Sequence, residues 1–224
     1  MNFQNKTKLL EHLIDTIKMQ QDAHIKDRTP FNLFVSGGNT PILLFQELNK
    51  QKILDFGVTK IYQVDERYTS KIDKNTNLSN QFVIKQCFQN NINFANNFRC
   101  FNLEKNYQDS TADYDSQISN IKPSLTLLGF GIDGHFASVF PNNEGIFEST
   151  KSVVGTKASD IYPIKDRMTV TPKKILESEK IITVLIGIDK KATFNEFMFG
   201  QKNYSEFPAK YFLNRVNFDI LTSF

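Results

Sequence analysis

His135 closes the segment Gly129-Phe130-Gly131-Ile132-Asp133-Gly134-His135, with three glycines and one acid ahead of it. Imidazole changes protonation near neutrality, so a histidine delivered by a glycine-rich turn is a candidate general base or acid. Asp133, two residues earlier, and Asp65, from a distant segment, are both candidates to orient that ring. Asp65 is equally placed to orient a substrate hydroxyl, and the sequence leaves the choice open. A second chemistry is anion binding. In Ser36-Gly37-Gly38-Asn39-Thr40-Pro41, glycines let the backbone approach a ligand and a helix start supplies free N–H groups. The spacing is neither that of a nucleotide P-loop nor that of a dinucleotide turn, which points to a single phosphate. Asp65-Glu66-Arg67 offers a guanidinium fork that matches phosphate oxygens, although the same triplet also reads as a structural ion-pair cluster. Arg167, Lys190 and Lys191 each read alone as solvated charges, and gain meaning only if the fold gathers them at one rim. Two cysteines and three scattered histidines give no zinc spacing, and no G-x-S-x-G elbow occurs. No metal and no cofactor is expected, with a scattered carboxylate site for magnesium left open.

Each of these motifs lies just beyond an apolar run. FNLFVS (31–36), KIYQVD (60–65), SLTLLG (124–129) and KIITVLIG (180–187) read as buried strands. FRCF (98–101), KSVVGT (151–156) and RMTVT (167–171) read as further strands. Leu9, Leu10, Leu13, Ile14 and Ile17 recur at helical spacing. Thr40 is expected to cap, and Pro41 to open, a helix over PILLFQELNK. LSNQFVIKQCF, YQDSTADYDSQIS and DKKATFNEFMFG read as helices, Pro172 starts a short one, and a helical turn and a strand close the chain. ERYTSKIDKNTN reads as a long loop, and a helix is expected after His135. His12 and His24, in the first helix, read as surface residues. The alternation predicts a Rossmann-like α/β fold: a mostly parallel sheet with helices on both faces, one domain over 1–224, with a small second lobe as an option. In such sheets ligands bind at the carboxyl ends of the strands, where the motifs fall.

With 224 residues, 40% of them hydrophobic and 23% charged, the chain is long enough for a large core and too apolar for disorder. A net charge of +3 without a run of five like charges argues against nucleic acid and fits a small anionic substrate. Cys87 and Cys100 read as buried, reduced thiols. The amphipathic, acid-containing start is unlike a signal peptide, and no apolar run approaches bilayer length, so a cytoplasmic protein without nucleic-acid or membrane partners is expected. It is expected to act as a monomer or weak homo-oligomer.

Taken in order, SGGNTP, DER, GFGIDGHFASVFP, the R-M-T strand start, G-x-D-K and the final F-P-A resemble the 6-phosphogluconolactonases, over essentially the whole chain from about residue 30. The most specific part is GFGIDGHFASVFP. The resemblance implies the α/β fold shared with glucosamine-6-phosphate deaminases and ribose-5-phosphate isomerases, without a nucleotide. It implies hydrolysis of 6-phospho-D-glucono-1,5-lactone to 6-phosphogluconate in the oxidative branch of the pentose phosphate pathway. His135 would activate water, helped by Asp133 or Asp65. Ser36, Gly37, Gly38, Asn39, Thr40, Arg67, Asn77, Arg167 and Lys190 would hold the sugar phosphate. The deaminases are similar at SGG and G-x-DGH, but typically read D-E-Y where this chain has Asp65-Glu66-Arg67. They also carry a needed glutamate after the histidine, where Phe136-Ala137-Ser138-Val139-Phe140-Pro141 has no acid. Two departures from the lactonase pattern stand in one loop: Asn75-Thr76-Asn77 replaces a common Asp-Ser-Asn, and Thr69-Ser70 replaces Val-Pro. The alternatives are a deaminase- or isomerase-like sugar-phosphate enzyme and a non-catalytic sugar-phosphate sensor.

Overall fold

The computed structural model describes residues 1–69, 78–89 and 91–224, with Asn39 and Thr40 described by backbone alone. In chain order the elements are α1 (Lys6–Asp27), β1 (Phe31–Val35), α2 (Asn39–Lys50), β2 (Thr59–Gln63), β3 (Asp65–Arg67), α3 (Asn80–Cys87), α4 (Ile92–Asn97), β4 (Phe98–Arg99), α5 (Tyr107–Ile118), β5 (Leu125–Leu128), β6 (Val153–Lys157), β7 (Asp166–Val170), α6 (Pro172–Leu176), β8 (Lys180–Ile186), α7 (Lys191–Phe199) and β9 (Phe218–Ser223).

Six strands form a sheet in the order β4-β2-β1-β5-β8-β9, and every pairing in it is parallel. Successive side chains of a strand point to opposite faces, and β1 shows the result. Phe31, Leu33 and Val35 pack with Leu9, Leu13 and Ile17 of α1 and with Leu44, Phe45 and Leu48 of α2. Phe34 packs on the other side with Tyr114 and Ile118 of α5 and with Phe197 of α7. Both faces are covered, so β1 is buried along its whole length rather than alternating, with Asn32 as its one polar residue. The chain builds outward from β1 through β2 to β4, then returns to β5 and builds the other way. Strand order therefore reverses between β1 and β5, and the loops that follow those two strands part there.

β3, β7 and β6 form a second, three-stranded antiparallel sheet in the order β3-β7-β6. Val64 joins the two sheets: its N–H donates to Val35 at 2.8 Å and its C=O accepts from Val170 at 2.8 Å. Asp65-Glu66-Arg67, expected to open a loop, is therefore a strand of this sheet. Two other expectations are corrected. Gly38, not Thr40, is the N-cap of α2, and the helix begins at Asn39, which puts Pro41 at its third position. The first-turn amides have no acceptor within the helix, so proline is tolerated there as well as at the first position. No helix follows His135: antiparallel bridges join Phe136 to Phe130 and to Val139, and Ala137 (φ 48°) and Asn142 (φ 62°) take left-handed conformations. Phe136, Val139 and Phe140 are all buried there. Asn5, Ser79, Asn106 and Thr171 each cap a helix by accepting from a first-turn amide. His24, at the last turn of α1, is partly buried and bonds Thr29 at 2.8 Å. Cys87 is a free, buried thiol whose pKa burial pushes up to about 11. Among the described residues no helix is long and apolar enough to cross a membrane.

Candidate active site

The loop after β5 presents His135. Gly131 N–H donates to His135 C=O at 2.8 Å and Gly134 N–H to Gly131 C=O at 3.0 Å, which closes a tight turn with Gly134 at φ 77°. A Cβ on Gly131 would overlap both the imidazole and the Asp133 carboxylate, so only glycine leaves them room. His135 Nδ1 lies 2.5 Å from Asp133 Oδ1, and the same oxygen accepts the His135 backbone N–H at 3.2 Å. A carboxylate only accepts, which assigns the proton to Nδ1 and leaves the Nε2 lone pair available. Among the described residues Nε2 has no hydrogen-bond partner. Burial pushes the Asp133 carboxyl up, but the hydrogen bonds and charge of His135 outweigh it and hold the group below the usual carboxylate range. Phe140 and Tyr162 flank the ring at centroid distances of 4.9 and 5.6 Å.

The small sheet supplies the cations. In the β3–β7 ladder Arg67 stands directly opposite Arg167, and Asp65 opposite Thr169. Positions two apart on a strand share a face, so both arginines and Asp65 look the same way. Like charges directly opposed across strands are destabilising by themselves, and an anion between them removes the conflict. Arg167 is 6% exposed: Nε donates to Ile164 C=O at 3.1 Å, and the guanidinium lies 5.8 Å from the ring centroids of Phe140 and Tyr162. Burial draws its pKa down, Asp65 opposes that and Arg67 adds to it, while a guanidinium stays charged throughout. Arg67 Nη1 donates to Leu78 C=O at 3.0 Å. Lys190, in the turn between β8 and α7, donates from Nζ to Phe130 C=O at 3.1 Å.

Gly37 and Gly38, which carry the chain from β1 into α2, line the same cavity as these groups. Gly38 sits at φ 109°, and a Cβ on Gly37 would overlap the Asn80 side chain. Glu66 ties this wall to the arginines. It is 0% exposed, and its carboxylate accepts five hydrogen bonds: from Gln63 Nε2 (2.8 Å), Ser79 Oγ (3.1 Å) and the backbone N–H groups of Arg67 (2.9 Å), Asn80 (2.8 Å) and Gln81 (2.8 Å). Burial raises its pKa and those donors work against the rise.

Ser36, Gly37, Gly38, Asp65, Arg67, His135, Arg167 and Lys190 all line one cavity of about 530 Å³ at the β1/β5 reversal. Asp133 stands behind the imidazole and is its carboxylate partner. Asp65 is not: its Oδ2 accepts from Ser138 Oγ at 2.8 Å. Asn39 and Thr40 form the first turn of α2 beside the cavity. Asn77, with Ser70, Asn75 and Thr76, lies outside the described residues. Sequence reasoning missed Asn80, Ser138 and Tyr162, and it read Glu66 only as part of a charge cluster. The Ser79 cap was a visible signal for Asn80, whereas nothing local marks Tyr162.

The family model for glucosamine-6-phosphate isomerases/6-phosphogluconolactonase matches residues 4–220. A probable 6-phosphogluconolactonase of Dictyostelium discoideum is 26% identical over 222 residues, covering 96% of this chain and 93% of that protein. A 6-phosphogluconolactonase of Borreliella burgdorferi is also 26% identical, over 96% of this chain and 91% of its own. The crystal structure of a 6-phosphogluconolactonase from Shewanella baltica superposes with a TM-score of 0.87 at 25% identity, covering 100% of this chain and 96% of that one. A monomeric glucosamine-6-phosphate deaminase shares the fold, with a TM-score of 0.79 at 19% identity, covering 100% of this chain and 96% of that one. The chain belongs to the glucosamine-6-phosphate isomerase/6-phosphogluconolactonase family.

Proposed function

We propose that this chain hydrolyses 6-phospho-D-glucono-1,5-lactone to 6-phosphogluconate, the activity for which its curated relatives are named. The observation that carries the reading is one cavity holding a carboxylate-oriented imidazole and two opposed arginines. A δ-lactone carbonyl is electrophilic enough that water needs only a base. Nε2 of His135 takes a proton as the water oxygen bonds C1. The tetrahedral intermediate collapses, the bond from C1 to the ring oxygen breaks, and the imidazolium returns the proton to that oxygen. Asp133 holds the ring and favours its transient positive charge. Acid–base help of this kind supplies roughly 10²–10⁴-fold. The phosphate sits between Arg67 and Arg167, with Lys190 and the amides of the Gly37-Gly38 turn completing its shell. It is remote from C1, so its binding energy positions the reacting carbon.

The family's other activity, amine release from glucosamine 6-phosphate, is disfavoured. Ser138 occupies the segment after the histidine, and its hydroxyl is spent on Asp65. Two assays on one preparation decide. Freshly generated lactone is followed by 6-phosphogluconate formation above the spontaneous rate, and glucosamine 6-phosphate by ammonia release. Lactone turnover without ammonia supports the proposal, and the reverse pattern replaces it with a deaminase.

A further inference from the structure

The connection between β6 and β7 carries a group that neither motif nor spacing marked. Its ends are tied by Ala158 N–H to Lys165 C=O (2.8 Å), and Tyr162 N–H donates to Ser159 C=O (3.1 Å). The Arg167 guanidinium holds the same connection through Ile164 C=O. Tyr162 is thereby fixed against the cavity, where it meets two groups with different tasks. Its ring face lies 5.8 Å from the Arg167 guanidinium carbon. Its ring stands edge-on to the imidazole, at 5.6 Å and 84°, and its hydroxyl lies 3.3 Å from His135 Nδ1. Phe140 closes the cluster, 5.3 Å from Tyr162 and 4.9 Å from His135.

We propose that Tyr162 is a positioning residue that couples the anion-binding arginine to the base, carrying Arg167 on its face while its hydroxyl holds the Nδ1 side of His135. The proposal rests on the lactonase reading for the tasks of those two residues. Nδ1 carries a proton directed at Asp133, so the phenol oxygen accepts a second branch of the same N–H. Two acceptors on Nδ1 favour the tautomer with a bare Nε2, the form a base requires. Burial, then the charge of Asp133, pushes the phenol pKa up against the smaller pull of Arg167, so the group stays neutral. Facing the imidazole are Asp133 on its own loop, Tyr162 from the β6–β7 connection, and Arg167, Arg67, Asp65 and Lys190 around the cavity.

Two variants separate the two contacts. Tyr162→Phe keeps both ring contacts and loses the hydroxyl: kcat falls about two- to tenfold, the value of one hydrogen bond, with KM unchanged. Tyr162→Leu also loses the aromatic face: KM for the phosphorylated lactone rises about two- to fivefold, while KM for unphosphorylated glucono-1,5-lactone does not move. A residue that merely stabilised the fold would lower the active fraction in both variants and produce no such split. The ¹⁵N resonances of the His135 ring, recorded without substrate, give a readout independent of turnover. The wild type shows a protonated Nδ1 and bare Nε2, and Tyr162→Phe gains the Nε2–H form. Kinetic constants and ring shifts matching wild type in both variants overturn the proposal. If the wild type fails to hydrolyse the lactone, the reaction reading falls. The ring shifts and the affinity of Tyr162→Leu for 6-phosphogluconate then decide the role of Tyr162, unchanged values rejecting it.

Discussion

Arg67→Ala separates a binding role for the opposed arginines from a structural one. Arg67 and Arg167 face each other across two strands. In the free protein, removing Arg67 relieves about 0.2–1 kcal/mol of cross-strand repulsion. It also deletes the Nη1 bond to Leu78, worth about 0.5–1.5 kcal/mol. The two effects nearly cancel, so the free variant should match the wild-type unfolding free energy to within about 1 kcal/mol. The bound protein is different. A charge-assisted bond to phosphate contributes about 1.5–3 kcal/mol, so its loss weakens binding about 10- to 150-fold. At a 6-phosphogluconate concentration of about 100 times the wild-type Kd, linkage stabilises the wild type by about 2.7 kcal/mol, or about 5–11 °C in Tm for a chain of this size. The same concentration stabilises Arg67→Ala by only about 0.3–1.4 kcal/mol, or about 1–6 °C. Thermal unfolding with and without ligand reads both numbers. Equal ligand-induced shifts in the two proteins, or a free variant several kcal/mol less stable, would refute the reasoning.

Asp133→Asn should lower kcat about 10- to 100-fold, because the amide no longer gives Nδ1 a charged acceptor; steady-state kinetics on the phosphorylated lactone checks it. The Asp133 carboxyl is held low in the folded state, so its contribution to stability is present above its reference pKa of 3.8 and lost as pH falls through the folded value. Acid titration of stability should accordingly be shallower in Asp133→Asn than in wild type. Glu66→Ala removes the acceptor of five donors, four of them in buried bonds, and should cost about 3–5 kcal/mol in urea unfolding; a loss under 1 kcal/mol would show that they find other partners. Gly131→Ala forces the imidazole aside and should lower kcat about 10²-fold with an unchanged circular dichroism spectrum, since displacements near 1 Å cost about that much.

The large sheet was legible because β1, β5 and β8 are short, mostly apolar runs rich in Leu, Ile, Val and Phe, and such runs signal burial whatever their partners. His135 and the Gly37-Gly38 turn were legible because glycines mark places where backbone must approach something closely. The small sheet was harder to read. Asp65-Glu66-Arg67 is only three residues long, and its strand character comes from pairing with β7, about a hundred residues later. The helix expected after His135 did not form although Phe136, Val139 and Phe140 stand at the helical spacing i, i+3 and i+4. Burial of Ser138 against Asp65 and Thr169 settled the conformation through contacts distant in sequence. Tyr162 sits in a connection that carries no chemical motif, and only its spatial neighbours Arg167 and His135 reveal it.

The most direct measurement compares wild type with His135→Ala on freshly generated 6-phosphogluconolactone, after subtracting spontaneous hydrolysis. With the fold intact by circular dichroism and 6-phosphogluconate still bound, the variant should lose about 10²–10⁴-fold in kcat. Turnover at the wild-type rate in that variant would contradict the assignment of the imidazole as the base.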